Sequence, residues 1–338
     1  EGHGEVDEEG HGQDDDQGNG QGHRQADREE ERLMAARAIG RVVAGTAAVG
    51  AGALGYGLWE AQQFTLRRVE APVLPAGQAP IRVLHLSDIH LLPRQRGKLE
   101  WISHLAGLEP DLVVNTGDNF CSPDAIEPLL NAWGRLLDVP GVFVFGSNDY
   151  RMPKFKNPAG YLSGPSDVVK TKTDELPYDD LREAMTSRGW ADLNHHRTAL
   201  EVAGRRIAFR GTDDAHLKKD DYSLVAGPPV EGVDLNVAVT HAPYLRLLDA
   251  MTADDMDMIF AGHTHGGQVC IPGKGALVTN CDIDTDRVKG LSTHHVVTPD
   301  GKEHTSALHV SAGLGSSPFA PYRIACRPEA TMLTLLGR

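Results

Sequence analysis

The chain reads as an α/β protein, and three observations predict it. From residue 81 onward, short apolar runs of strand length alternate with helical segments. Five of those runs end in Asp, Asn or His. Two of the intervals between such ends, 88 to 118 and 118 to 148, are 30 residues, the length of one βα unit.

The elements follow in chain order. The 338 residues carry a net charge of −14, and residues 1–32 hold 12 acidic groups against 3 Arg, which is −9 of it. That stretch has one β-branched residue, Val6, and no aromatic, so it predicts a disordered acidic tail. The remaining 306 residues are close to balanced at −5, with no basic, aromatic-interleaved patch, which argues against a nucleic-acid partner.

Residues 33–59 read as a membrane anchor helix, centred on the uncharged run Val42–Leu58. Five Gly in those 17 residues would make a poor soluble helix, whereas small residues at Ala51/Gly55 and Ala53/Gly57 suit packing in lipid. Five Arg precede the run and Arg67 and Arg68 follow it, a bias that predicts a single pass with the folded domain outside. A cleaved leader is the other reading. Residues 60–79, with Pro72 and Pro75, read as a linker feeding an edge strand, and 80–338 as one domain.

Within that domain, Ile81–Leu86, Leu112–Asn115, Val142–Phe145, Leu235–Val239 and Met258–Phe260 predict buried strands. Ile126–Leu137 and Asp180–Arg188 predict helices. The strands run into Asp88-Ile89-His90, Asp118, Asn148-Asp149, His241 and His263-Thr264-His265. Ligand sites of open α/β sheets form beyond the carboxyl ends of strands, so these groups should share one rim. Singly, each has a plainer reading: Asp after a strand is often a helix cap, and a lone His is often a satisfied interior residue. Together they point to a metal site, because carboxylate and imidazole suit Mn, Fe or Zn.

The set Asp88-x-His90, Gly117-Asp118, His241 and Gly262-His263-Thr264-His265 resembles the calcineurin-like metallophosphoesterase superfamily. The extension Gly266-Gly267-Gln268 and the late stretch GLGSSPFAPYR…RPEATMLTL resemble its membrane-associated bacterial branch. The resemblance implies a four-layer α/β/β/α sandwich over about residues 80–338. It implies two divalent metal ions: Asp88, His90 and His265 on one, His241 and His263 on the other, Asp118 bridging. It further implies hydrolysis of a phosphodiester or pyrophosphate by a metal-bridging hydroxide. With the anchor, a phosphorylated small molecule or lipid-linked substrate is expected.

One motif departs from the superfamily's G-N-H-D: here the chain reads Gly146-Ser147-Asn148-Asp149-Tyr150. One register puts Ser147 at the ligand position and Asn148 at the catalytic His. The other puts Asn148 at the ligand position and Asp149 at the His, and an amide oxygen is the better ligand for a hard ion. Asn148 and Asp149 are therefore the expected catalytic-loop groups, with His85 and His216 as other sources of a proton. Without that His, poor leaving groups should suffer.

The polar stretch 151–180 reads as a lid or a surface loop. Asp213, Asp214 and His216 either support the site or cap a turn, and Arg323 is a candidate phosphate ligand. Cys121, Cys270, Cys281 and Cys326 form no C-x-x-C pair, though Cys270 and Cys281 are close enough in sequence to bridge. Two other functions stay open: a non-catalytic metal-binding module with a degenerate loop, and a nuclease of the same fold.

Overall fold

A computed structural model describes residues 19–155 and 174–338, with side chains from residue 28 onward. The expectations for residues 1–18 and for most of the 151–180 stretch lie outside the described residues. The chain divides after Gly55 into two compact units.

The first helix, α1 (Asn19–Glu60), contains the whole anchor segment. Its Arg28–Glu60 portion is long and apolar enough to cross a membrane. Leu33, Ile39, Val42, Val43, Val49 and Leu54 all stand exposed on it. Residues 19–32 are helical where composition alone predicts disorder. Once the Ala-rich stretch has nucleated a helix, extension through Gln, Arg, Ala and Glu is cheap. The last turn belongs to the larger unit: Gly57 O accepts the Arg323 N–H at 3.0 Å, and buried Glu60 accepts that of Ala325 at 2.8 Å.

The larger unit contains fourteen strands among its described residues. The first seven are β1 (Thr65–Leu74), β2 (Ile81–Leu86), β3 (Leu112–Asn115), β4 (Gly141–Phe143), β5 (Ala191–Asp192), β6 (Arg197–Val202) and β7 (Arg205–Gly211). The rest are β8 (Leu235–Val239), β9 (Met258–Ala261), β10 (Cys270–Ile271), β11 (Gly275–Ala276), β12 (Gly290–Val297), β13 (Glu303–Val310) and β14 (Glu329–Gly337). They form two six-stranded sheets, β1-β14-β2-β3-β4-β5 and β12-β13-β9-β8-β7-β6, with β10-β11 a small hairpin. The parallel sets β2-β3-β4 and β7-β8-β9 supply the five strand ends identified from sequence.

Both sheets are covered on both faces, which is why their central strands are apolar without alternation. Val83, Val114, Val142 and Leu333 of one sheet and Phe209, Val237, Val239 and Phe260 of the other share one buried core. Their neighbours Leu84, Leu86, Val113 and Phe143 point the other way, onto a layer that includes Leu129 and Trp133 of α3 (Ile126–Trp133). This outer layer also holds α2 (Arg96–Ser103), α4 (Ser147–Tyr150) and α5 (Tyr178–Ser187). On the far side, Ala238, Ile259, Leu308 and Val310 pack against Leu248 and Met251 of α6 (Leu245–Ala253). The order helix, sheet, sheet, helix is the four-layer sandwich.

The linker expectation for residues 60–79 needs correcting. Thr65–Leu74 is a full strand, β1, paired in parallel with β14 along its length. As an edge strand it tolerates Pro72, whose missing N–H the sheet does not require.

Candidate metal centre

Five strand ends converge, and the backbone there is strained. Asp88, His90, Asp118, His263 and His265 all have φ between 45° and 68°, the left-handed region. Each such residue costs on the order of 1–3 kcal/mol and persists where its surroundings over-determine it. The loops are interlocked: the Asp88 N–H bonds Gly117 O at 2.8 Å and the His90 N–H bonds Asp118 O at 2.9 Å. Gly146 is required by close approach. A Cβ there would collide with Asp118 Oδ1 and stand 2.6 Å from His241 Cε1.

Two groups of ligand-competent atoms result, each within 4.8 Å: Asp88, His90 and His265, and Asp88, Asp118 and His241. Asp118 Oδ2 lies 3.4 Å from His90 Nε2 and 3.5 Å from His241 Nε2, between the two sides. His265 Nε2 is 3.3 Å from His90 Nε2 and 3.6 Å from Asp88 Oδ1. His263 stands at the rim of the second group, its ring 5.1 Å from that of His241 and its Nε2 3.2 Å from Asn280 O.

Protein partners set the histidine tautomers. His241 Nδ1 donates to Thr116 O at 2.6 Å and His265 Nδ1 to Gly315 O at 2.9 Å, since a carbonyl only accepts. Each Nε2 lone pair then points into the cluster, the usual preparation of a metal-binding imidazole. His90 Nδ1 contacts Cys121 Sγ at 3.5 Å.

Two buried atoms in the cluster have no hydrogen-bond partner: Asp88 Oδ1 and His241 Nε2. Leaving such atoms unpaired costs about 1–3 kcal/mol each, more for charged groups, unless something else binds them. The field favours a cation. Burial lowers the pKa of His241, yet Asp118, Asp88 and Asp214 together raise it to about 9. Burial pushes Asp88 up to about 6, with the Asp118 charge adding to the rise. The donor set fits divalent ions.

The altered loop is arranged differently from expectation. Asn148 does reach the cluster: its N–H and its side-chain amide bond the two Asp118 oxygens at 2.8 and 2.7 Å. Asp149 does not. Fully buried, it accepts the backbone N–H of Asp118 and Asn119, both at 2.7 Å, and of Gly146 at 2.9 Å. Its oxygens hold two loops together, the geometry of a clamp.

Other expectations change as well. His85 is fully buried in the sandwich, out of reach of a leaving group. His216 stays near the site, its ring 4.5 Å from that of His263. Asp214 accepts the N–H of His216 and Leu217 in a turn, and its charge also acts on His241. Arg323 is no phosphate ligand: wholly buried, it donates to the carbonyls of Ala312, Gly313, Gly315 and His265. Cys270 packs with Cys326 and Ala312, while Cys281 lies in another core, and all four cysteines are free. The supports that sequence missed, Thr116 O, Gly315 O and Cys121, are backbone atoms or a lone thiol, and carry no motif.

A family model, calcineurin-like phosphoesterase, matches residues 81–267, more than half of the chain and all of the clustered residues. The chain belongs to that family. As a calcineurin-like phosphoesterase it is a hydrolase of phosphate esters. It is similar to the uncharacterized metallophosphoesterase YkoQ of Bacillus subtilis (strain 168), 28% identical over 76% of this chain and 84% of that protein. The phosphodiesterase YaeI of Escherichia coli (strain K12) is 27% identical over 88% of this chain and 98% of its own. A transmembrane protein with a metallophosphoesterase domain from Bos taurus is 26% identical over 62% of this chain and 46% of its own.

Proposed function

We propose that this phosphoesterase uses two divalent ions to hydrolyse a phosphodiester or pyrophosphate carried by a membrane-associated or lipid-linked molecule. Asp88, His90 and His265 would hold one ion. His241, His263 and Asn148 would hold the other, with Asp118 between them. The observation that carries this reading is the pair of buried, unpartnered ligand atoms, Asp88 Oδ1 and His241 Nε2, in one cluster of Asp and His. When bound, such a pair of ions (Mn, Fe or Zn) acidifies water and offsets charge on phosphoryl oxygens.

The chain's own residues supply orientation. Thr116 O and Gly315 O fix two imidazoles, and Asp149 ties the Asp118 loop to the Gly146 loop. Asn148 anchors on Asp118 and offers no proton at neutral pH. The Gly146–Tyr150 loop thus carries no histidine to protonate a leaving group, which favours phosphoanhydrides and activated esters over alkyl esters.

The membrane part of the reading rests on the exposed apolar helix, and the transmembrane relative from Bos taurus supports it. The Arg bias favours a single pass with the phosphoesterase domain on the extracytoplasmic side. The test is hydrolysis of bis-p-nitrophenyl phosphate by the full chain with Mn²⁺. Turnover that disappears in Asp118→Asn is expected. No turnover from metal-loaded protein with any divalent ion would sink the reading.

A further inference from the structure

Two buried histidines have no part in the cluster. His85 on β2 and His309 on β13 meet across the two sheets, Nδ1 to Nδ1 at 2.8 Å. From there, polar atoms lead to the metal cluster in hydrogen-bond steps. His85 Nε2 lies 3.0 Å from Thr116 Oγ1, Thr116 Oγ1 2.6 Å from Ser87 Oγ, and Ser87 Oγ 2.5 Å from Asp88 Oδ2. All five residues are at most 1% exposed, out of reach of bulk solvent.

The chemistry of the ends fixes the direction of every step. A carboxylate only accepts, so the Ser87 hydroxyl donates to Asp88 Oδ2. Ser87 Oγ then accepts from Thr116. Having given its one proton, Thr116 accepts from His85 Nε2–H. A neutral imidazole has a single N–H, so His85 Nδ1 accepts and His309 Nδ1–H donates. Burial keeps both rings neutral, holding His85 well below the usual imidazole range and His309 at about 3. Gly262 makes room for the chain: a Cβ there would collide with Ser87 Oγ and stand 2.6 Å from Asp88 Oδ2.

We propose that His309, His85, Thr116 and Ser87 form a one-way hydrogen-bond chain that commits Asp88 Oδ2 to the protein and leaves Oδ1 as the cation-binding oxygen. Oδ2 also accepts the His263 N–H at 2.9 Å, while Oδ1 accepts no hydrogen bond and faces only the His265 and His90 rings, at 3.6 and 3.9 Å. His309 and His85 are thus positioning residues, acting on the ion through Asp88. Thr116 serves both sides, since its carbonyl also orients His241. Successive hydrogen bonds pointing the same way polarise one another, so the far end of the chain matters. The inference rests on Asp88 being a metal ligand.

Mn²⁺ affinity of the full chain, measured by calorimetry, is the test. Thr116→Val keeps shape and backbone but breaks the chain, and should weaken binding about 10–100-fold, as loss of a ligand-orienting partner does. His309→Leu should do the same, whereas His309→Asn, whose amide N–H replaces Nδ1–H, should stay within about threefold of wild type. A core-filling role for His309 predicts the reverse: unchanged affinity in the Leu variant. Should that variant fail to fold, the isosteric Thr116→Val decides, and its binding within about twofold of wild type overturns the proposal. A wild-type chain that binds no Mn²⁺ would instead overturn the metal site itself, and the chain's role with it.

Discussion

Replacing Asp149 by Asn separates a clamp from a catalytic group. Asp149 Oδ2 accepts the N–H of Asp118 at 2.7 Å and of Gly146 at 2.9 Å, and Oδ1 that of Asn119 at 2.7 Å. Asn retains one oxygen, best placed where two donors converge, and its NH₂ then confronts the Asn119 N–H. One buried hydrogen bond is lost, about 0.5–1.5 kcal/mol, and a buried donor is orphaned, about 1–3 kcal/mol more. A net loss of about 2–4 kcal/mol follows, a large part of a typical stability of about 5–15 kcal/mol. Urea unfolding of the full chain, followed by circular dichroism, measures it. A stability within about 0.5 kcal/mol of wild type with turnover abolished would refute the reasoning. That pattern belongs to a proton donor.

Other outcomes follow from the same geometry. Gly146→Ala should weaken ion binding, because its Cβ displaces Asp118 and His241; unchanged Mn²⁺ affinity would contradict this. Against a series of phosphodiesters, the rate should fall about 10²–10⁴-fold more steeply with poorer leaving groups than in a relative that keeps the loop histidine, measured as kcat/KM. Stripping ions with a chelator should lower Tm, and Mn²⁺ at about 100 times its Kd should restore about 2.7 kcal/mol for each site filled. Lys98 is buried and its pKa is pushed down to about 7 from 10.5, chiefly by burial. The unfolded chain therefore binds the extra proton between those values, and stability rises with pH across that window. Lys98→Met should flatten that rise in pH-dependent unfolding.

The parts of the fold that sequence revealed are those where apolar period and strand length coincide. β2, β3 and β8 match their expected limits residue for residue because they are buried on both faces and run into polar residues. β1 was harder to see, since seven of its ten residues are exposed or intermediate and it carries Pro72. In the site, Asp88, His90, Asp118, His241 and His265 were legible because their side chains carry ligand-competent atoms and recur at strand ends. The surroundings of Asp149 and Arg323 were hidden because their partners are backbone N–H and C=O groups, whose positions depend on the fold and not on residue type. His85 misled for the opposite reason: an ionisable residue in a strand is spoken for by a neighbour 224 positions away.

The most direct test of the two-ion account is the metal content of catalytically active full chain, determined by elemental mass spectrometry. Two divalent ions per chain are predicted. Undiminished turnover with one ion or none bound would contradict the account.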